Sequence, residues 1–116
     1  MFTLTHEGDN VGATKLERGD PAILAVSGAF INMGGAKALA GFIKSIGGSE
    51  DEGVVFVTLN DDFELKDEDG NRVAFAEASL IAIPADEEAY LDITGLSEEV
   101  YKTYFSEHLS ALGDQS

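Results

Sequence analysis

The chain contains no cysteine, seven lysines and arginines together, and no apolar run of membrane-spanning length. Without cysteine there are no disulfide staples, no thiolate zinc or iron–sulfur ligands and no thiol nucleophile. The longest nearly uncharged stretch, Pro21 to Ala36, is broken by Ser27, Asn32 and several glycines. A helix needs about 20 predominantly apolar residues to cross a bilayer, so no transmembrane segment is expected. Scarcity of positive charge excludes direct binding to DNA, RNA or anionic lipid, since each demands cations. Met1 to Thr5 is followed by His6, Glu7 and Asp9, with neither a basic start nor an apolar core of a leader, so an unprocessed, cytoplasmic chain is expected. There is no N-x-S/T acceptor, and no H-E-x-x-H, G-x-S-x-G or Ser-x-x-Lys pattern.

What is present is acid. Aspartate and glutamate number 22 and the net charge is −15, unevenly carried. Residues Met1 to Gly48 balance Glu7, Asp9, Glu17 and Asp20 against Lys15, Arg18, Lys37 and Lys44, whereas from Ser49 onward only Lys66, Arg72 and Lys102 oppose the acids. The whole excess lies in the second part. A hydrophobic content of 44% supplies a core, so the acids decorate a folded chain rather than a disordered one. At 116 residues that chain is one domain, 1–116, with Gly113 to Ser116 frayed.

Periodicity assigns the elements. Phe2 to Thr5 alternates as a strand, ended by Glu7-Gly8-Asp9-Asn10, and a polar connection runs on to Gly19-Asp20-Pro21. Ala22 to Val26 is apolar on both faces and reads as a central strand. Asn32 is the expected cap of a helix over about 34–46, with Leu39, Phe42, Ile43 and Ile46 on one face, Lys37 and Lys44 opposite, and Gly47-Gly48 ending it. Val54 to Leu59, a hairpin of Phe63–Leu65 with Val73–Phe75 turning at Gly70, Ser79 to Ile83, and Tyr90 to Ile93 supply the remaining strands. Ser97 caps a last helix over about 98–112, whose stripe runs through Val100, Tyr101, Tyr104, Phe105, His108, Leu109 and Leu112. The fold expected is a single α+β domain: a mainly antiparallel sheet of 4–6 strands and two amphipathic helices.

Three acidic triplets, Glu50-Asp51-Glu52, Asp67-Glu68-Asp69 and Asp86-Glu87-Glu88, fall in the expected loops, as turn-forming residues do. Asp67, Asp69 and Asn71 alternate like a calcium loop. The EF-hand pattern then requires glycine at its sixth position and glutamate at its twelfth, which here are Arg72 and Ala78. Gly28 and Gly34-Gly35-Ala36-Lys37 lack the lysine spacing and hydroxyl of a phosphate loop, leaving only the helix start as a weak anion site. Arg18-Gly19-Asp20 matches an adhesion tripeptide, but its ordinary reading is a turn before Pro21. His108, Tyr101 and Tyr104 lie on an apolar stripe, where such residues line a core. No metal or cofactor is expected.

The reading that follows is a non-enzymatic interaction or regulatory protein. Its carboxylates within 49–116, with Asp61, Asp62, Glu64, Asp67, Glu68, Asp69, Asp86, Glu87 and Glu88 as the binding residues, would meet a basic protein partner. DNA mimicry or toxin neutralisation is its minority form, weakened because turns scatter charge. The alternative is a small enzyme or ligand-binding domain with a pocket between helices and sheet. In that reading a second copy forms a homodimer by covering the sheet face or edge that one helical layer leaves open. A third account is a surface adapted to high salt.

Overall fold

The computed structural model describes residues 1–20, 22–32 and 34–105. Strands β1 (Phe2–His6) and β2 (Asp9–Thr14) form a hairpin, followed by β3 (Arg18–Asp20), β4 (Ala25–Ile31) and helix α1 (Gly35–Ser45). A second hairpin, β5 (Ser49–Asp51) and β6 (Val54–Thr58), leads to β7 (Phe63–Lys66). Then come β8 (Glu77–Ile83), a 3₁₀ turn at Pro84–Asp86, β9 (Glu88–Thr94) and α2 (Glu98–Tyr104). Both two-residue hairpin turns are Glu-Gly with positive φ at each residue, 50° and 87° at Glu7-Gly8 and 50° and 83° at Glu52-Gly53. This is the mirror-image turn whose twist matches paired strands, and glycine supplies its second left-handed position.

All pairings are antiparallel, and the strands join in one sheet of order β5-β6-β8-β9-β4-β2-β1-β7, with β3 beside β4. The α+β class holds, but the sheet has nine strands rather than four to six. The additions are β2, β3 and β5. In the two three-residue strands, Arg18–Asp20 and Ser49–Asp51, every residue is exposed, so no hydrophobic pattern marks them. In β2, expected to be polar connection, Val11, Gly12 and Thr14 are buried.

The run Ala22 to Val26 is also displaced. The strand begins at Ala25, Leu24 is left-handed at φ 53°, and Ile23 is exposed. Asp20 explains the shift: its carboxylate accepts the Ala22 N–H at 3.2 Å and its carbonyl accepts the Ile23 N–H at 3.3 Å, turning the chain before it can extend. Val73–Phe75 likewise forms no full strand. The Asp67 N–H to Asn71 carbonyl bond at 2.9 Å, the Lys66–Arg72 bridge and the Val73 N–H to Leu65 carbonyl bond at 2.8 Å continue the hairpin past Gly70 at φ 85°.

One face of the β6-β8-β9-β4 region is core. Val55, Leu80, Leu91 and Ile93 line it, and α1 lies against it through Leu39 and Ile43, all at most 1% exposed. Gly34 rather than Asn32 is the α1 N-cap; the Asn32 side chain accepts the Gly34 N–H at 2.8 Å and donates to the Val11 carbonyl at 2.6 Å. At the other end Gly47, φ 93°, lets the Gly48 N–H return to the Ile43 carbonyl at 2.9 Å. The Ser97 hydroxyl caps α2 by accepting the Val100 N–H at 3.1 Å. Tyr101 is fully buried and donates to the Ala25 carbonyl, while Phe2 stacks on Phe105 at 5.5 Å. The expected extension of this helix to 112, with His108, Leu109 and Leu112, and the end at Gly113–Ser116 lie outside the described residues.

Candidate partner-binding face

The sheet has a second face. Side chains alternate along a strand, so residues between the core positions of β6, β8, β9 and β4 all point away from α1. Register places four of them in one row: Phe56 opposite Ile81, Ile81 opposite Tyr90, and Tyr90 opposite Ala29. With strands about 4.8 Å apart the row spans roughly 15 Å. Phe56 is 40% exposed and Ile31, two residues along β4 from Ala29, is 60% exposed. Ile81, Ile83 and Tyr90 are half-buried. Neighbouring apolar side chains thus cross four strands without a covering layer among the described residues.

Carboxylates border the row. Glu88 pairs with Ile83 and its carboxylate accepts the Tyr90 hydroxyl at 2.7 Å, a bond that pushes the phenol's pKa up. Asp92, between Ser79 and Ser27 in the next register, is exposed. Glu50 does not border the row: it stands opposite Val55, on the side of β5 that faces α1, where it pairs with Lys44 at 3.0 Å. Beside the row, Arg18, Gly19 and Asp20 of β3, Ser27 of β4, and Asp92 and Thr94 of β9 line an open groove of about 380 Å³.

A bulge positions the β3 side of this groove. Thr14 pairs with Phe30 and Arg18 with Ser27, so Lys15–Glu17 are three residues set against Gly28 and Ala29. The extra residue is absorbed at Leu16, left-handed at φ 48° yet buried. The bulge takes the strand's backbone acceptors out of register, and the Glu17 carboxylate accepts the Ala29 N–H instead, at 3.2 Å. Its own backbone N–H does most to hold the Glu17 carboxyl below its usual pKa; burial opposes this, and the Ala29 N–H adds a lesser lowering. Gly28 makes room: a Cβ there would lie 2.5 Å from Glu17 Oε2, 2.8 Å from Thr14 Oγ1 and 2.9 Å from Leu16 Cα.

The nine carboxylates singled out from sequence divide into two regions. Asp61, Asp62, Glu64, Asp67, Glu68 and Asp69 follow β7 and its flanking turns, at the end of the sheet order. Asp86 and Glu87 occupy the β8–β9 connection and Glu88 starts β9, with β4, β2 and β1 between β9 and β7 in that order. Asp67 is structurally engaged: Oδ1 accepts the Asp69 and Asn71 N–H groups, each at 2.9 Å, and Oδ2 accepts the Tyr104 hydroxyl at 2.7 Å. The Tyr104 bond, with the Asn71 N–H second, holds its carboxyl below the ordinary range. The D-x-D-x-N spacing therefore serves a turn that anchors α2. Glu68 pairs with the amino group of Met1, which lowers its pKa by hydrogen bonding and charge. Glu64 lies 3.9 Å from Lys66. Of the nine, Glu88 directly borders the apolar row.

At the α1 start, the Gly34 and Gly35 N–H groups are satisfied by the side chain and carbonyl of Asn32, at 2.8 and 3.0 Å, and Glu87 lines the adjoining cavity. With both N–H groups engaged, the helix start does not present them to an anion, and Lys37 lines the same cavity as Glu87. Phe56, Ile81, Tyr90 and Ile31 were not among the sequence candidates. Their signal was present: Val54 to Leu59 and Leu80 to Ile83 are apolar on both strand faces, while one helical layer covers only one. No helix among the described residues is long and apolar enough to cross a membrane. No protein-family model, curated protein or solved structure matches the chain.

Proposed function

We propose that this chain is a non-enzymatic interaction protein that receives a basic protein partner on the open face of its sheet. The observation that carries the reading is the cross-strand row Phe56, Ile81, Tyr90 and Ala29, with Ile31 beside it and Glu88 and Asp92 at its margin. An apolar centre with a charged rim is the anatomy of a protein interface. The rim selects the sign. A second copy of a chain with net charge −15 would bring like charges together around the row, whereas lysines and arginines at a partner's rim would complement it. The carboxylates of β7 and its turns add to the attracting field and raise the encounter rate without entering the apolar centre. The space between α1 and the sheet is filled by fully buried Leu39, Ile43, Val55, Leu80 and Leu91, which favours the face over a pocket within the core.

The test places a photo-crosslinking side chain at Ala29, on the face, or at Lys37, on the exposed side of α1. The reading expects Ala29 to crosslink a basic protein, with yield falling between 0.05 and 0.5 M salt, roughly the range over which screening shortens below 10 Å. Phe56→Ser combined with Ile31→Ser should abolish the product. Crosslinking only to a second copy, equal labelling from Lys37, or salt-independent capture would overturn it.

A further inference from the structure

Away from that face, His6, Glu7 and Asp62 converge, each offering one ligand atom, with all three atoms within 4.8 Å of one another. Two loops build the cluster. His6 ends β1, opposite Phe63 at the start of β7, and Glu7 takes the first left-handed position of the hairpin turn. The Glu7 N–H donates to the Asp62 carbonyl at 2.8 Å, which ties the turn to the β7 approach. The half-buried imidazole has aromatic neighbours: the Phe63 ring at 4.5 Å and the Phe42 ring of α1 at 5.4 Å and nearly perpendicular. These rings restrict the histidine, while Glu7 and Asp62 remain exposed and able to turn inward.

The donor set selects a kind of ion. Magnesium and calcium take oxygen ligands, whereas one imidazole nitrogen with two carboxylates suits zinc and its first-row neighbours. Two carboxylates balance a dication, and the surrounding excess of acid removes the electrostatic cost of bringing one in. Ligands about 2.0 to 2.2 Å from a tetrahedral zinc lie roughly 3.4 Å from each other, a closure that rotation of exposed carboxylates can supply. We propose that His6, Glu7 and Asp62 form a three-ligand site for a divalent first-row transition ion, leaving at least one coordination position to water or a partner's side chain. The site is independent of the open sheet face, and either proposal can fail alone.

The experiment titrates zinc, and separately cobalt, into the full chain after chelator treatment, reading heat and, for cobalt, visible absorption. One equivalent is expected to bind, with excess magnesium or calcium failing to displace it. His6→Asn and Asp62→Asn should each weaken binding at least about tenfold, since loss of even an outer partner of a metal ligand costs that much. His108→Asn, which changes the chain's other histidine, should leave binding unchanged. If His6→Asn disturbs the fold, the exposed Glu7→Gln decides by the same criterion. No cobalt spectrum, several weak equivalents, or unchanged affinity in the folded ligand variants would overturn the site.

Discussion

Gly28→Ala tests the strand bulge, because the three nearest atoms the new methyl meets lie in it or beside it. Glu17 Oε2, at 2.5 Å from the added Cβ, is the end of an exposed flexible chain and can swing away, breaking its bond to the Ala29 N–H. That bond contributes about 1 kcal/mol at most. Thr14 Oγ1 at 2.8 Å is different: Thr14 is fully buried and its oxygen accepts the Leu16 N–H. Leu16 Cα at 2.9 Å is backbone and must move with the bulge to regain ordinary contact beyond 3.4 Å. Overpacking of this kind costs about 1–3 kcal/mol. Alanine reduces unfolded-chain freedom by about 0.4–1 kcal/mol, and Gly28 is outside the left-handed region, so this gain partly offsets the cost. The expected net loss is about 1–3 kcal/mol, or a midpoint about 4–12 °C lower for a chain of this size. Thermal and urea unfolding of wild type, Gly28→Ala, Glu17→Ala and the double variant measure it. Glu17→Ala should cost less in the alanine background, where the carboxylate has already been displaced, with a coupling of about 0.5–1 kcal/mol. A midpoint at or above wild type, or strict additivity, would refute the reasoning.

Tyr104→Phe removes the donor that most strongly holds Asp67 below its ordinary value of 3.8. A depressed carboxyl contributes stability that is complete above the unfolded value and is lost as pH falls through the folded one. The stability gap between wild type and variant should therefore be present at pH 7 and shrink as acid titration passes below that value. Chemical unfolding at a series of pH values checks it, and a gap that widens on acidification would contradict the assignment. Added salt should raise the thermal midpoint of the wild type, because acids occur in the β1–β2 and β5–β6 hairpins, the turn after β7, the β8–β9 connection and the first turn of α2. A midpoint flat from low to high salt would show that self-repulsion is negligible.

Legibility followed side-chain pattern. Leu39 and Ile43 sit one turn apart and marked α1, and Ser97 with Glu98 and Glu99 marked the start of α2, because these signals are local. The runs Val54–Leu59 and Ser79–Ile83 were similarly visible as β-branched and apolar, the second falling short of Glu77 and Ala78 at the start of β8. Arg18–Asp20 and Ser49–Asp51 were not, since their pairing uses backbone groups that every sequence carries. The shift of β4 depended on Asp20 forming a local turn, a preference that outweighed the apolar run beginning at Ala22. For the candidate sites, the abundance of acid was legible but its partition between β7 and the β8–β9 connection was not. The row from Phe56 to Ala29 required register across four strands, and the meeting of His6 and Glu7 with Asp62 required β1 to pair with β7.

That pairing has a kinetic consequence. Thr3 finds Lys66, and Val26 finds Ile93, so one edge of β1 and one edge of β4 stay open until partners made much later in synthesis arrive. Closing such long loops before their contacts form slows folding, and until β9 emerges from the ribosome β4 offers Val26 and Phe30 to any sticky neighbour. The nascent chain at that stage has already passed its neutral segment and begun to accumulate negative charge. Mutual repulsion between such chains keeps them apart while the distant strands are awaited, so the charge also protects the protein during the interval before its sheet is complete.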